Sequence, residues 1–321
     1  MSEILGALFS NHPCEASRAA LLSRGNLHAD TKAHLEHCES KAGLVRGSAL
    51  ACGLWLDGVV CGWDRDGTLE CVTMSLPGLS GELGNVRFPL AVIHKDFVVK
   101  HHTLDDILAA QAQCFKAAAV NQHLRRRVGG AAWSQDDMRA GRHLRQGKAL
   151  GAPAFLCQVL GDWKMRKEVF RFPQHNEVAG ICIHCRATPA DVRKPGADAG
   201  WRRDRLTHWD FIARLVGQGH EISPIFEAPY LTTACFPEDW MHAVDQGVAA
   251  DFLGQVLVYL WRRHMPGGTE AERLKALWLR LQAGYKKYPG AQKLDPAPKS
   301  TVYIPMLLVW GGHLCEVDSS L

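Results

Sequence analysis

Two aspartates stand inside or at the end of apolar segments, where a carboxylate is chemically conspicuous. Asp57 interrupts the segment LWLDGVV, and Asp162 ends the segment FLCQVLGDW. Burying an ionised carboxylate without a partner costs several kcal/mol, so each side chain must reach solvent, a cation or hydrogen-bond donors. If the two meet, they predict a Mg²⁺ site, because Mg²⁺ prefers oxygen ligands.

Each aspartate also has a purely structural interpretation. Asp57 and Gly58 have the composition of a turn, and Asp162 is a suitable N-cap for the segment WKMRKEVF that follows it. The apolar residues resume at once after Gly58 in VVC, and this favours a strand that continues through Asp57. Both interpretations of Asp162 stay open.

A zinc site is the second candidate. Cys182 and Cys185 have the CxxC spacing of a zinc knuckle, but the chain has no second CxxC to complete four ligands. The pair is otherwise explained as two core thiols. We take His208 as the third ligand; the other candidates are His184, His220, His242 and Cys235.

Asp239 and His242 lie three residues apart in CFPEDWMHAVDQGV, at the predicted start of a long helix. That spacing places both side chains on the same side of the helix, so one can orient the other, or the pair can hold a metal or a DNA phosphate. The alternative is a first-turn aspartate, favoured by the helix dipole, beside an ordinary histidine.

A basic segment follows residue 120 and predicts a phosphate-attracting surface. Only Asp136 and Asp137 oppose its positive charges. On one helix the positions from Arg139 to Lys148 form a broad basic flank, and a solvated helix face is the alternative. The nucleic-acid-binding candidates are Arg125, Arg126, Arg127, Arg139, Arg142 and Arg145.

Composition excludes several classes of protein. The chain has 321 residues, 47% of them hydrophobic and 22% charged, and a net charge of +4, so we expect a globular protein with a substantial core. Its start has no secretion signal, and its apolar segments are too short to span a membrane. Eleven cysteines without a secretion signal predict reduced thiols in a nuclear or cytoplasmic protein that is not secreted.

The order of predicted elements indicates the fold. Residues 1–47 are predicted to be a helical lead-in, and three strands with short turns follow from residue 48. Then come the helix TLDDILAAQAQCFKAAAV and a fourth, short strand that ends at Asp162. This order predicts an α/β protein with an RNase H-like mixed sheet: three antiparallel strands, then a helix and a parallel strand, with residues 48–163 as the first part of the core. In such a sheet the first and fourth strands are neighbours, so Asp57 and Asp162 converge.

The remaining chain is predicted to lie outside the sheet. Residues 164–290 form a mainly helical insertion, stapled by zinc, with a capping box between Thr269 and Glu272. Residues 291–321 form an irregular tail.

In their order, the acidic strand LWLDGV, the segment GDWKMRKEVFRFPQHNEVAGICIHC and the segment APYLTTACFPEDWMHAVDQGVAADFLGQVL resemble CACTA-type (En/Spm-like) DDE transposases. The resemblance covers about residues 49–260. It implies that Asp57 and Asp162 are the first two metal-binding acids and that Asp239 and His242 are the family's Asp-x-x-His pair. It also implies a third acid on a later helix, and Glu272 is our candidate among the glutamates there.

The resemblance implies a nuclear transposase-like protein that cleaves and joins DNA at transposon ends with Mg²⁺ or Mn²⁺ and that can form homo-oligomers. No membrane partner is expected. The alternative is a catalytically inactive, zinc-stabilised protein that binds nucleic acid or another partner. An RNase H-like nuclease unrelated to transposition does not require the CxxC and Asp-x-x-His segments.

Overall fold

The computed structural model describes residues 1–11, 19–61, 67–79, 86–173, 180–191, 199–238 and 249–287. The chain divides into two compact units, Met1–Pro237 and Glu238–Leu321. No helix in the described part of the chain is both long and apolar enough to cross a membrane.

The first unit contains a four-stranded mixed sheet with the order β3-β2-β1-β4. The strand β1 is antiparallel to β2 and parallel to β4, and β2 is antiparallel to β3. The predicted α/β class and mixed sheet are therefore confirmed. The strands are β1 (Leu50–Cys61), β2 (Gly67–Ser75), β3 (Phe88–His94) and β4 (Ala154–Gly161).

Eight helices of the first unit and two of the second fall within the described residues. Short 3₁₀ turns connect several of them. The helices are α1 (Ser2–Asn11), α2 (Ala29–Lys41), α3 (Thr103–Ala119), α4 (Gln135–Arg139), α5 (Arg142–Arg145), α6 (Trp163–Glu168), α7 (Gly200–Arg203), α8 (His208–Gly217), α9 (Ala249–His264) and α10 (Glu270–Lys287).

Alternation along β1 gives the sheet two different faces. Leu54 and Leu56 point to one face and are at most 2% exposed; they pack in the main core with Leu108 and Phe115 of α3. The intervening residues point to the other face, since side chains alternate along a strand. There Ala51 joins a smaller core, and Asp57 is exposed near the end of the strand.

The predicted lead-in is part of the first unit. Leu5 and Phe9 of α1 are buried in the main core, and Leu35 and Cys38 of α2 are buried in the smaller core with Phe155 of β4. The helices α1 and α2 therefore cover opposite faces of the sheet, because each presents apolar side chains to one of the two cores.

The predicted insertion, residues 164–290, is split between the two units. Its first part packs in the first unit through a cluster of aromatic rings, in which Phe172 lies 4.9 Å from Phe236 and 5.6 Å from Phe211, measured between ring centroids. The helices α9 and α10 belong to the second unit. The predicted tail, residues 291–321, lies outside the described residues.

The basic segment is not one helix, and that expectation is wrong. Gly141 adopts a left-handed conformation with φ of 68° and separates α4 from α5. A glycine reaches this conformation without the steric cost that a Cβ atom brings, so the helix stops there and restarts in a new direction.

Candidate functional site

The sheet register brings Asp57 and Asp162 side by side. The last parallel pair between β1 and β4 is Leu56 with Gly161; Asp57 is the next residue of β1, and Asp162 directly follows the end of β4. The backbone of Asp162 is still extended, with φ of −63° and ψ of 174°. Neighbouring strands are about 4.8 Å apart, and residues paired across them point to the same face of the sheet. The backbone positions of Asp57 and Asp162 are therefore neighbours at the point where the pairing of β1 with β4 ends.

The turn interpretation of Asp57 and Gly58 is wrong, because β1 continues through both residues. Asp57 pairs with Cys71 of β2, and Gly58 pairs with Glu70. Burial raises the pKa of the Cys71 thiol, and the negative charges of Asp57 and Glu70 raise it further. Asp57 is thus an exposed carboxylate on a paired, central strand, which fixes its position.

The N-cap interpretation of Asp162 is confirmed. Its Oδ1 atom accepts a hydrogen bond of 2.7 Å from the backbone N–H of Met165, in the first turn of α6. Capping uses only one carboxylate oxygen of Asp162. Within the described residues, no hydrogen-bond donor is paired with the other oxygen, Oδ2. Because a carboxylate has about four lone-pair sites, capping does not prevent Asp162 from also acting as a ligand.

Another carboxylate, that of Glu70, lies near Asp57 on the neighbouring strand β2, and sequence reasoning did not identify it. Its side chain is 3% exposed, and its Oε1 atom accepts a hydrogen bond of 2.9 Å from Lys164 Nζ. Its Oε2 atom is buried and has no hydrogen-bond partner in the described part of the chain. The hydrogen bond to Glu70 raises the pKa of Lys164. The segment TLECVT carries the same signal as the segment around Asp57, because in both a single carboxylate interrupts a predicted strand.

Glu70 does not share a face with Asp57. It pairs with Gly58, the residue after Asp57, and alternation along β1 turns it to the core side of the sheet. Glu70 therefore anchors Lys164, two residues after Asp162, and links β2 to the start of α6.

The CxxC segment forms a tight turn. The backbone N–H of His184 donates to Cys182 Sγ at 3.3 Å, and the N–H of Ile181 donates to the carbonyl of Ala187 at 3.0 Å. Cys185 is buried, and burial raises the pKa of its thiol. The proposed third ligand, His208, packs against Phe226, with 5.6 Å between ring centroids.

Cys235, another candidate zinc ligand, lies against α2. Its Sγ atom is 3.1 Å from His34 Nε2, and Cys38 Sγ is 3.4 Å from the same nitrogen. Burial lowers the pKa of His34 to about 4 and raises the pKa of Cys38 to about 12 and that of Cys235 to about 11. All three groups are therefore neutral near pH 7, and sequence reasoning had no local signal for this cluster.

Among the residues that the structure describes, no three or more His, Cys, Asp or Glu side chains are arranged to hold a metal ion. The set Cys182, Cys185 and His208 is thus not assembled as a zinc site. Asp239 and His242 lie outside the described residues.

Glu272, the candidate third acid, has a structural role in the second unit. Its Oε2 atom accepts hydrogen bonds from the backbone N–H groups of Gly268 at 2.8 Å and Thr269 at 3.0 Å. The hydroxyl of Thr269 accepts a reciprocal bond of 3.3 Å from the N–H of Glu272. The predicted capping box is therefore confirmed, and its hydrogen bonds lower the pKa of Glu272.

The six candidate arginines fall into two groups. All six are exposed, and in the first group, Arg125, Arg126 and Arg139, Arg139 pairs with Asp136 on the surface, 3.5 Å away. The other three, Arg127, Arg142 and Arg145, line a cavity of about 530 Å³ beside α1.

No protein-family model matches this sequence. No curated protein is significantly similar to it.

Proposed function

We propose that the first unit is the RNase H-like core of a CACTA-type DDE transposase-like protein that acts on DNA phosphodiesters. The observation that carries the proposal is the register of β1 and β4, whose last pair, Leu56 with Gly161, comes directly before Asp57 and Asp162. A carboxylate pair from two strands so far apart in sequence is what a metal-dependent site of this class needs.

The strand order supports the RNase H-like assignment. Three sequential antiparallel strands are followed by α3, and β4 then returns parallel to β1. This arrangement makes β1 central, with Asp57 near its carboxyl end. Asp162 follows directly from the carboxyl end of the neighbouring strand.

The two aspartates fit a Mg²⁺ or Mn²⁺ ion, because such ions are commonly bound through one or two carboxylates together with substrate phosphates. When bound, the ion would neutralise charge on the phosphate and activate a water or a 3′-hydroxyl. Asp57 would contribute an exposed carboxylate from a rigid strand. Asp162 would contribute Oδ2 while Oδ1 keeps the start of α6 in place.

DNA is the proposed partner. The exposed Arg125, Arg126 and Arg139 would attract phosphates, and their contribution would weaken as salt increases. A nuclear location and a homo-oligomer are part of the same proposal, since transposon ends must be brought together. Glu272 as the third acid, and Asp239 with His242 as a signature pair, also remain proposals.

A second candidate function is nucleic-acid binding without catalysis. It is favoured by the capping roles of Asp162 and Glu272, because each uses a carboxylate oxygen to hold the start of a helix. In that case zinc at Cys182 and Cys185 would act as a staple.

The deciding experiment is a nicking assay on supercoiled DNA with Mg²⁺ or Mn²⁺. Asp57→Asn and Asp162→Asn each remove one charge, and asparagine still caps a helix well, so Asp162→Asn keeps α6 intact. Asp136→Asn is the matched control, because Asp136 is 90% exposed. We expect nicking to fall at least about 100-fold in the first two variants, as for loss of groups that stabilise charge in the transition state, and to persist in the control.

Equal nicking by all proteins would remove both aspartates from the active site. A wild-type protein that binds DNA in a salt-dependent way but never nicks it would support the second candidate. Glu272→Gln, tested in the same assay, reports on the third acid: unchanged nicking would reject it.

A further inference from the structure

The cavity beside α1 has the size and lining of a ligand pocket. Its volume of about 530 Å³ lies within the range of about 300 to 1,000 Å³ that is usual for small-molecule sites. Apolar side chains, Leu124, Val128 and Trp133 among them, form part of its wall, and polar and charged side chains form the rest.

The charged groups of the cavity leave an excess of positive charge. Arg142 donates to Glu3 at 2.8 Å and to Asp137 at 2.6 Å, and Arg127 pairs with Asp137 at 3.1 Å. These two acids therefore balance two of the three arginines. Arg145 donates to the backbone carbonyl of Ala140 at 3.0 Å. No carboxylate in the described part of the chain lies within ion-pair distance of it, although its charge helps to lower the pKa of Glu3 from farther away.

A buried histidine lies beside this unbalanced arginine. His123 is 8% exposed, and its ring packs so closely on α1 that a Cβ atom on Gly6 would come within 2.8 Å of it. Burial lowers the pKa of His123, and the charge of Arg145 lowers it further. A neutral imidazole of this kind can donate a hydrogen bond to an anion.

Trp133 supplies an aromatic wall whose polar atom is already satisfied. Its Nε1–H donates to Gln146 Oε1 at 3.0 Å, so the ring is held in place and its remaining edge and faces are apolar. Aromatic rings and arginine side chains are the groups on which nucleobases stack in proteins that bind single strands.

We infer that this cavity binds a nucleotide, with the base against Trp133 and the phosphate held by Arg145 and His123. The ligand is either a free nucleotide or one nucleotide of a single strand whose other phosphates lie along the exposed Arg125 and Arg126. The site goes beyond the proposed phosphodiester chemistry and does not depend on Asp57 or Asp162.

The test is isothermal titration of the full chain with deoxyadenosine monophosphate, deoxyadenosine, inorganic phosphate and a short 5′-phosphorylated single strand. We expect the monophosphate to bind at least about 10-fold more tightly than phosphate or nucleoside alone, since the site holds both parts of the ligand. Equal affinity for the monophosphate and inorganic phosphate would overturn the assignment, as would no binding of the monophosphate or the strand.

Variants assign the contacts. Arg145→Gln and Trp133→Ala should each weaken nucleotide binding about 10-fold or more, whereas Trp133→Phe should largely restore it. Arg46→Gln, an arginine change at a side chain that is 73% exposed and does not line the cavity, should have no effect on the monophosphate. Arg145→Gln with wild-type affinity would refute the site.

The two ligand sources are distinguished in the same titrations. Tighter binding of the single strand than of the monophosphate, with the same dependence on Arg145 and Trp133, identifies a strand nucleotide as the ligand. Tighter binding of the monophosphate identifies a free nucleotide. Nicking activity is not involved, so failure of either proposal leaves the other unaffected.

Discussion

Replacing Lys164 with methionine should destabilise the first unit by leaving Glu70 as an unpaired buried charge. The Glu70 side chain is 3% exposed and its Oε2 atom already lacks a partner among the described residues. Removing one partner of a buried ion pair costs about 3 to 5 kcal/mol. Lys164 is 45% exposed, so water screens part of the interaction, and we expect about 2 to 3 kcal/mol for Lys164→Met.

The assay is urea unfolding of wild type, Lys164→Met, Glu70→Leu and the double variant. Replacing both partners by apolar side chains leaves no unpaired buried charge, so the unfolding free energy of the double variant should lie within about 1 kcal/mol of that of wild type. Lys167→Met, an exposed lysine of the same helix, is the control and should change the unfolding free energy by less than about 0.5 kcal/mol.

A double variant less stable than Lys164→Met would refute this reasoning. So would a Lys164→Met protein as stable as the control, because the carboxylate of Glu70 would then be solvated in some other way. A large positive coupling between the two positions would instead show that Glu70 is held chiefly by Lys164.

Three further predictions follow. The pKa of His34 is lowered to about 4 in the folded protein, below its unfolded value of 6.5, so its contribution to stability is present above pH 6.5 and is lost as pH falls towards 4. Urea unfolding should show wild type losing about 2 kcal/mol more than His34→Asn between pH 7 and pH 4.5. Gly151→Ala should lower the thermal midpoint by several degrees, because φ is 122° and the new Cβ would lie 2.4 Å from Phe9 Cβ; Gly200→Ala, with no atom within 4 Å, should not. If zinc binds the CxxC segment, metal analysis should find it in wild type and Cys71→Ser but not in Cys182→Ser.

Local sequence patterns predicted those features of the fold that depend mainly on residues close together in the chain. A carboxylate within an apolar run marked Asp57 as a strand residue, and an aspartate before helix-forming residues marked Asp162 as a cap. The order of strands and helix predicted β4 beside β1 by analogy with a known sheet arrangement, and α3 provides the crossover that a parallel strand needs. The neighbouring backbone positions of the two aspartates follow from that pairing together with its register, which ends one residue before each of them.

Other features, such as the actual N-cap of α3 and contacts between distant segments, could not be predicted from residues close together in the chain. Thr103 and Asp106 have capping-box spacing, yet His102 is the N-cap with no side-chain bond, and the Thr103 hydroxyl accepts from the N–H of Val99 at 2.9 Å. The contact of Cys235 with His34 joins residues 201 positions apart. Such contacts are set by how whole elements pack, and no spacing within a segment encodes them.

The central position of β1 has a consequence for synthesis of the chain. Its edge facing β4 stays unpaired until residue 161 has left the ribosome, although β2 and β3 emerge soon after β1. At about 5 to 20 residues per second, this nascent edge is exposed for on the order of 10 s. An unpaired strand edge can add to another chain, so we expect the protein to aggregate more readily when translation stalls between β3 and β4 than when it stalls after β4.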